Sequence, residues 1–180
     1  MKILETERLV LRRHVLDDAA FLLELLNEPA FLEHIGDRGA RTIVDARRYI
    51  ARGPVASYRK FGFGLYLVEL KDSGAPIGIC GLLKRDWLDD VDIGFAFLQK
   101  FWSQGYARES AAAVLHYGWT TLRLQRIVAI TKPTNQASIT LLEKLGLRFE
   151  KIIAQPDHGG ENKLFAAGAP DGKKGRKTSD

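Results

Sequence analysis

The stretch VDIGFAFLQKFWSQGYARESAAAVLHYGWTTL, Val91 to Leu122, decides how this chain is read. An apolar run, Val91 to Leu98, leads through a glycine-containing turn into a segment with helical spacing. A strand that opens a helix in this way leaves first-turn N–H groups without partners, all directed to where an anion can sit. The turn is Ser103-Gln104-Gly105-Tyr106-Ala107-Arg108, and the small residues at 105 and 107 let a phosphorylated ligand approach the main chain closely. The Lys-Ser/Thr pair of a nucleoside triphosphate loop is missing, since Arg108-Glu109 stands there instead. No three-glycine dinucleotide fingerprint is present either. Taken alone, such a junction is as readily a mere chain reversal as an anion site.

Upstream the pattern is one of strands. GFGLYLVEL from Gly62, IGICGLLKRD from Ile77 and VDIGFAFL from Val91 are separated by the short turns KDSGAP and WLDD, which predicts an antiparallel meander. Before it, Thr6 to Arg12 alternates charged and apolar residues and reads as a strand with one wet face. A helix follows with Asp17 as N-cap and Ala20, Phe21, Leu23, Leu25 and Leu26 on its apolar face, until Pro29 stops it. A second helix starts at the Thr42 cap, with Asp45 completing a capping box, and runs from Ile43 to Arg52 before Gly53-Pro54. Downstream, helix 107–122 precedes a strand at Arg126 to Ile130. The loop Lys132 to Gln136 then leads into helix Ala137 to Leu145, closed by Gly146 as a left-handed C-cap. Phe149 to Ile153 and Leu164 to Ala167 read as closing strands. The expected fold class is α/β (α+β): one domain over residues 1–168 with a mixed, mostly antiparallel sheet of about seven strands and about four helices, and a disordered basic tail at 169–180.

Bulk properties narrow the function classes. The chain has 180 residues, 46% hydrophobic and 27% charged, as expected of one globular domain with a single substantial core. No run approaches the roughly 20 apolar residues needed to span a bilayer, and the N-terminus lacks a signal pattern, so a cytoplasmic location is expected. The lone cysteine, Cys80, forms no internal disulfide and reads as a small buried filler within a strand. Of the net charge of +5, much comes from the last ten residues, DGKKGRKTSD, which hold four Lys/Arg against two Asp. That tail has no apolar anchor, and weak polyanion contact is the most its charge implies. His14, His34, His116 and His158 share no ligand spacing, so no metal site is expected. His116 lies on a helical stretch, where it packs or caps, while His34 and His158 fall in loops that could border an acceptor site.

Two segments carry a family resemblance when read together: WSQGYARESAAAVLHYGW from Trp102, and TNQASITLLEKLGLRFE from Thr134. With ETERLVLR near the N-terminus and the DIGFAFL strand, they resemble the GNAT superfamily of acetyl-CoA-dependent N-acetyltransferases, in particular the ribosomal-protein N-terminal acetyltransferase branch. The family's loop signature falls on Trp102, Gly105 and Ala107, with tryptophan where the wider superfamily has Gln or Arg. The resemblance implies that main-chain N–H groups of Gln104 to Arg108, in the loop that Trp102 and Ser103 open, hold the pyrophosphate of coenzyme A, with Arg108 either adding charge or staying solvated. It implies a splay between strand 91–98 and strand 126–131 (the fourth and fifth), where main-chain groups of Phe97 and Leu98 pair with the pantetheine arm as with an added strand. Gly94 then marks either a bulge or room for a neighbouring side chain. Asn135 corresponds to the family's pantetheine-contacting asparagine, or caps the next helix.

The chemistry implied is transfer of acetyl to a primary amine, either a protein N-terminal α-amine or a small molecule such as a polyamine, amino acid or antibiotic. An ordinary α-amine titrates near 7.7–8.0 and lysine near 10.4, so a weak base suffices for the former. Asp92 is the first candidate for that base, acting through water, against the alternatives of an exposed carboxylate on a strand's polar face or an acceptor that orients the substrate; Glu69 is the reserve. The tyrosine acid that many members carry is replaced by Leu142, and Ser138 is carried over as the proton donor, against a capping role. The loss of that tyrosine keeps alive a second reading, a coenzyme A binding module without turnover. A nucleic-acid-binding domain has only the basic balance behind it, and a monomer or homodimer is expected.

Overall fold

The computed structural model describes residues 1–156 and 160–170. His158 and the tail from 171 onward, for which loop and disorder were expected, lie outside the described residues. Eight strands form one sheet in the order β1-β2-β3-β4-β5-β6-β8-β7: β1 (Lys2–Glu5), β2 (Leu9–Arg12), β3 (Leu65–Leu70), β4 (Pro76–Leu83), β5 (Val91–Phe97), β6 (Arg126–Thr131), β7 (Arg148–Ala154) and β8 (Glu161–Gly168). Every neighbouring pair is antiparallel except β5 and β6. The additional strand relative to expectation is β1. The chain reverses over Thr6 to Arg8, with the Thr6 N–H donating to the Leu9 carbonyl at 2.9 Å, so residues 2–5 fold back on β2.

The helices are α1 (Ala19–Leu26), α2 (Pro29–His34), α3 (Ile43–Ile50), α4 (Ala56–Phe61), α5 (Tyr106–Thr120) and α6 (Gln136–Lys144). The N-terminal cap before α1 falls one residue later than expected. The Asp18 carboxylate accepts the Val15 N–H at 2.8 Å and opens a 3-10 turn at Leu16–Asp18, while Asp17 is solvated. Pro29 ends one helix by starting another, since a proline at the first helical position lacks only an N–H that has no partner anyway. The Thr42 and Asp45 capping box forms as expected. The helix does not stop at Gly53-Pro54, however. A wider π turn at Ala51–Val55 absorbs Pro54, which has no N–H to place in the ladder, and helical backbone continues through α4 to Gly62, whose φ of +83° ends it. At the far end, Gly146 takes φ +90° and closes α6.

Alternation along the central strands sends side chains to two separate cores. Tyr66, Cys80, Leu82, Ile93 and Ile127 pack with Val114 and Leu115 of α5 and Leu142 of α6. Leu67, Ile79 and Leu98 pack with Leu22, Leu25, Leu26, Ala46 and Ile50 of α1 and α3. Cys80 is fully buried and its thiol is pushed up to about 12 by that burial, the inert state expected of a filler. Among the described residues no helix is long and apolar enough to cross a membrane.

Candidate active site

The parallel neighbours β5 and β6 share only the register Val91↔Ile127 and Asp92↔Val128. Beyond Asp92 the two strands part, leaving the fork that the resemblance implied. Which main-chain groups face it follows from the ladder with β4. Leu98 N–H donates to the Ile77 carbonyl at 3.0 Å, one residue beyond the pair Gly78↔Phe97. In an antiparallel ladder the hydrogen-bonding residues alternate, so Asp92, Gly94, Ala96 and Leu98 turn their N–H and C=O toward β4. Phe95 and Phe97 turn theirs toward the fork. On the opposite prong, Ala169 N–H donates to Gln125 at 2.9 Å beyond the pair Arg126↔Gly168, and the same alternation turns Ile130 inward. Leu98 is thus not a fork residue: its amide belongs to the sheet. Phe97 keeps its N–H for the fork, but its carbonyl accepts the Trp102 indole N–H at 2.8 Å. Phe95, which sequence reading passed over, presents both main-chain groups.

Beyond β5 the loop winds into α5 through two positive-φ residues, Ser103 at +60° and Gly105 at +84°, the latter as N-cap. Glu109 N–H makes the first helical bond, to Gly105 O at 3.0 Å, which leaves the N–H groups of Tyr106, Ala107 and Arg108 as the helix's free donors. Trp102 is 41% exposed, pinned through its indole to β5. Gln104 does not line the cleft: its side-chain amide donates back to Lys100 O and its main-chain carbonyl accepts from Arg8 Nη1 at 3.0 Å. Arg8 is the part of this loop that sequence reading missed. It stacks over the Tyr106 ring at 4.5 Å and pairs with Glu109, whose carboxylate also takes the Thr6 hydroxyl and the Arg8 N–H. The N-terminal turn therefore braces the loop. A charge at position 8 with its counter-charge 101 residues later is a pairing no local pattern reveals.

The cleft of about 700 Å³ runs from this loop, along the fork, to the sheet face beneath α2 and α3. Asn135 and Ser138 line it, and so do Thr140 and Leu142. Asn135 is also the N-cap of α6, its side-chain carbonyl accepting the Ser138 N–H at 3.1 Å, so the capping reading holds in a residue that also lines the cleft. Asp92 lines the far part, but it is not the exposed carboxylate that one expectation offered. It is 1% exposed and gripped by Arg85 through two bonds of 3.0 and 3.1 Å. Burial pushes its carboxyl above the ordinary value, with Arg85 opposing the rise. Glu69, the reserve, is elsewhere: it pairs with Arg12, which also holds Asp18, and contributes nothing to the cleft wall. Gly94 lies in unbroken register with Gly81, so there is no bulge; a Cβ there would stand 2.9 Å from the end of the Leu83 side chain. His34 sits at the C-terminal end of α2 and lines the cleft, its buried Nδ1 without a hydrogen-bond partner, while His116 is exposed on α5.

Main-chain donors gathered at a helix start, beside a fork with unpaired strand groups, suit a long ligand with an anionic end and amide groups along its arm. The family model for the acetyltransferase (GNAT) domain matches residues 8–148, and the chain belongs to that family of acetyl-CoA-dependent N-acetyltransferases. It is 30% identical over 153 residues to YkkB of Bacillus subtilis (strain 168), covering 83% of this chain and 87% of that protein. In fold it is similar to an acetyltransferase from Agrobacterium tumefaciens str. C58, with TM-score 0.79, 22% identity and coverage of 93% and 94%. It is likewise similar to a ribosomal-protein-S5-alanine acetyltransferase from Vibrio fischeri, with TM-score 0.74, 16% identity and coverage of 95% and 98%. The GNAT family and fold agree with what the motifs implied.

Proposed function

We propose that this protein binds acetyl-CoA along the fork and acetylates the primary amine of an acceptor seated between the sheet and α2–α3, both substrates being held together. The observation that carries this reading is the continuity of three features: the free N–H groups of Tyr106, Ala107 and Arg108, the inward main-chain groups of Phe95, Phe97 and Ile130, and the buried Asp92 at the fork's apex. When bound, acetyl-CoA supplies a thioester whose carbonyl carbon forms the new C–N bond as its C–S bond breaks, the proton lost by nitrogen ending on sulfur.

The residues divide the work as follows. Tyr106, Ala107 and Arg108 hold the diphosphate through main-chain N–H groups and the positive end of α5, worth about 0.3–1 kcal/mol per favourable charge and roughly 2 when partly buried. Phe97 N–H and the Phe95 main chain take the place of a strand neighbour for the amides of the pantetheine arm. Asn135 offers its side-chain N–H₂ to the same arm while its oxygen caps α6. Asp92 accepts the amine's proton through water, and the upward push of burial brings its basicity closer to that of an α-amine. Ser138, in the cleft wall, is the hydroxyl assigned to the thiolate, in a sequence that puts Leu142 where a tyrosine would serve. Thiolate is a sufficiently good leaving group for a serine to be enough.

A second reading, coenzyme A binding without turnover, rests on the buried, wholly apolar Leu142. Thiol release from acetyl-CoA in the presence of amines separates the two. Turnover establishes the enzyme. Cofactor-dependent thermal stabilisation without thiol release establishes the binder, and no association with coenzyme A in calorimetry refutes both.

A further inference from the structure

Charge along the cleft wall is lopsided. Among the described residues it is lined by Arg38, Arg85, Arg108, Lys132 and Lys144 against a single carboxylate, Asp92. Arg108 lies at the phosphate loop, and Lys132 and Lys144 flank α6. Arg38 and Arg85 belong instead to the acceptor end, under α2 and α3. There Asp92 is already taken by Arg85 through both oxygens, so no carboxylate is left to greet a cationic acceptor. Arg38, in the loop between α2 and α3, is partly buried and makes no ion pair among the described residues. Tyr49 of α3 lines the same end, and its phenol lies in the field of both Arg38 and Arg85. Arg38 and Tyr49 also form the wall of an adjoining recess of about 320 Å³, whose other lining includes Arg48, Arg52 and one carboxylate, Asp45, which is held by Arg48 and by the Thr42 capping box. A guanidinium in a half-closed pocket without a counter-ion is poised for a carboxylate or phosphate, which it can grip through paired N–H groups.

Building on the acetyltransferase reading, we infer that the acceptor is a small amine bearing its own anionic group, carboxylate or phosphate, which docks on Arg38 beside Tyr49 while the amine faces Asp92. The arrangement selects against a polyamine, whose second charge meets only arginines. It selects against a peptide N-terminus as well, because the first residue of a peptide presents a neutral carbonyl where a free amino acid presents a carboxylate.

The test uses the full chain and matched probes: L-phenylalanine against L-phenylalanine amide, O-phosphoethanolamine against ethanolamine, spermidine, and a tetrapeptide amide without acidic side chains. Both thiol release and calorimetric binding to the coenzyme A-loaded protein are followed. The expected result is a preference of at least tenfold for one anionic probe over its neutral partner. It opposes intrinsic reactivity in the amino acid pair, since the amide's amine is the more readily deprotonated. Arg38→Gln abolishes the preference by weakening only the anionic probe, and Arg38→Lys restores part of it. The two arms tell carboxylate from phosphate. Equal or better use of spermidine, the peptide or the neutral partners overturns the inference. So does an Arg38→Gln loss shared by all probes, or a lack of response to any of them. Coenzyme A affinity, measured first on the same protein, is unchanged by Arg38→Gln; if it is absent in the wild type, the acetyltransferase reading is what has failed.

Discussion

The two ends of the cleft are built on opposite plans. At the proposed cofactor end the groups on offer are main-chain ones: a helix start, a pair of positive-φ residues and two strands that part. At the proposed acceptor end they are side chains, His34, Arg38, Tyr49, Arg85 and Asp92, brought from two helices, a loop and a hairpin. Main-chain sites tolerate substitution wherever φ allows it, whereas side-chain sites depend on each residue and its partner. The largest effect is therefore expected where a substitution attacks the backbone itself. Gly105 holds φ +84° as N-cap of α5, and Gly105→Glu forces an L side chain into left-handed backbone, at about 1–2 kcal/mol, while placing a carboxylate next to the diphosphate. Calorimetry is expected to show coenzyme A affinity reduced at least 100-fold with the fold retained. Unchanged affinity would remove the main-chain account of that end.

At the other end the corresponding attack is Asp92→Asn, expected to lower kcat/KM by roughly 100-fold, the lower end of the usual range for a general base. The pH profile distinguishes a base from a mere partner of Arg85. If Asp92 accepts the proton, kcat/KM rises with pH as its carboxyl ionises, through a value displaced upward from the ordinary carboxylate range. That acid limb disappears in Asp92→Asn. Should the variant keep the limb and lose only rate, Asp92 serves to position Arg85.

This asymmetry also explains what was legible in the sequence. The strand, turn and helix at 91–120, the cap at Thr42 and the stop at Gly146 are local patterns, and each is found where its pattern put it. The glycine at 94 was ambiguous because bulges and close approaches leave the same mark in a sequence; the unbroken register decides for close approach. Gly53-Pro54 misled because a π turn accommodates proline without leaving any signature of its own. Leu98 was assigned to the fork by motif position, whereas the parity of the β4 ladder, set by Ile77, turns its amide away. The Arg85–Asp92 pair could have been read from the hairpin spacing, with partners seven positions apart across a turn, but Arg38 and Tyr49 reach the cleft only through tertiary packing.

An acid limb in activity must be separated from acid loss of the fold, and His14 sets the latter. It is 4% exposed, both ring nitrogens lack hydrogen-bond partners, and burial lowers its pKa from 6.5 to about 4, against the pull of Asp18. The folded state keeps it neutral, so the unfolded chain binds the extra proton between these values. Stability is then full above pH 6.5 and is lost as pH falls toward 4, by about 1 kcal/mol at pH 5.5 and roughly 3 kcal/mol at the lower bound. Denaturant midpoints from pH 7.5 to 5 are expected to fall accordingly, and to flatten in His14→Phe. A catalytic limb that shifts in step with that midpoint belongs to unfolding.

The smallest effect belongs to the brace between the two plans, where one side chain stabilises a main-chain site. Arg8 touches no ligand position; it ties Gln104 O, the Tyr106 ring and Glu109 together from outside the loop. Its side chain is 43% exposed, so screening keeps its pair with Glu109 within about 0.2–1 kcal/mol. Arg8→Gln is expected to raise KM for acetyl-CoA about threefold and to leave kcat unchanged, because the loop's free amides lose order without being removed. The effect should shrink in 0.5 M salt, where the wild-type pair is itself weakened. A change in kcat, or a loss of affinity as large as that of Gly105→Glu, would mean that Arg8 reaches the diphosphate directly. The cofactor end would then rely on side chains as the acceptor end does.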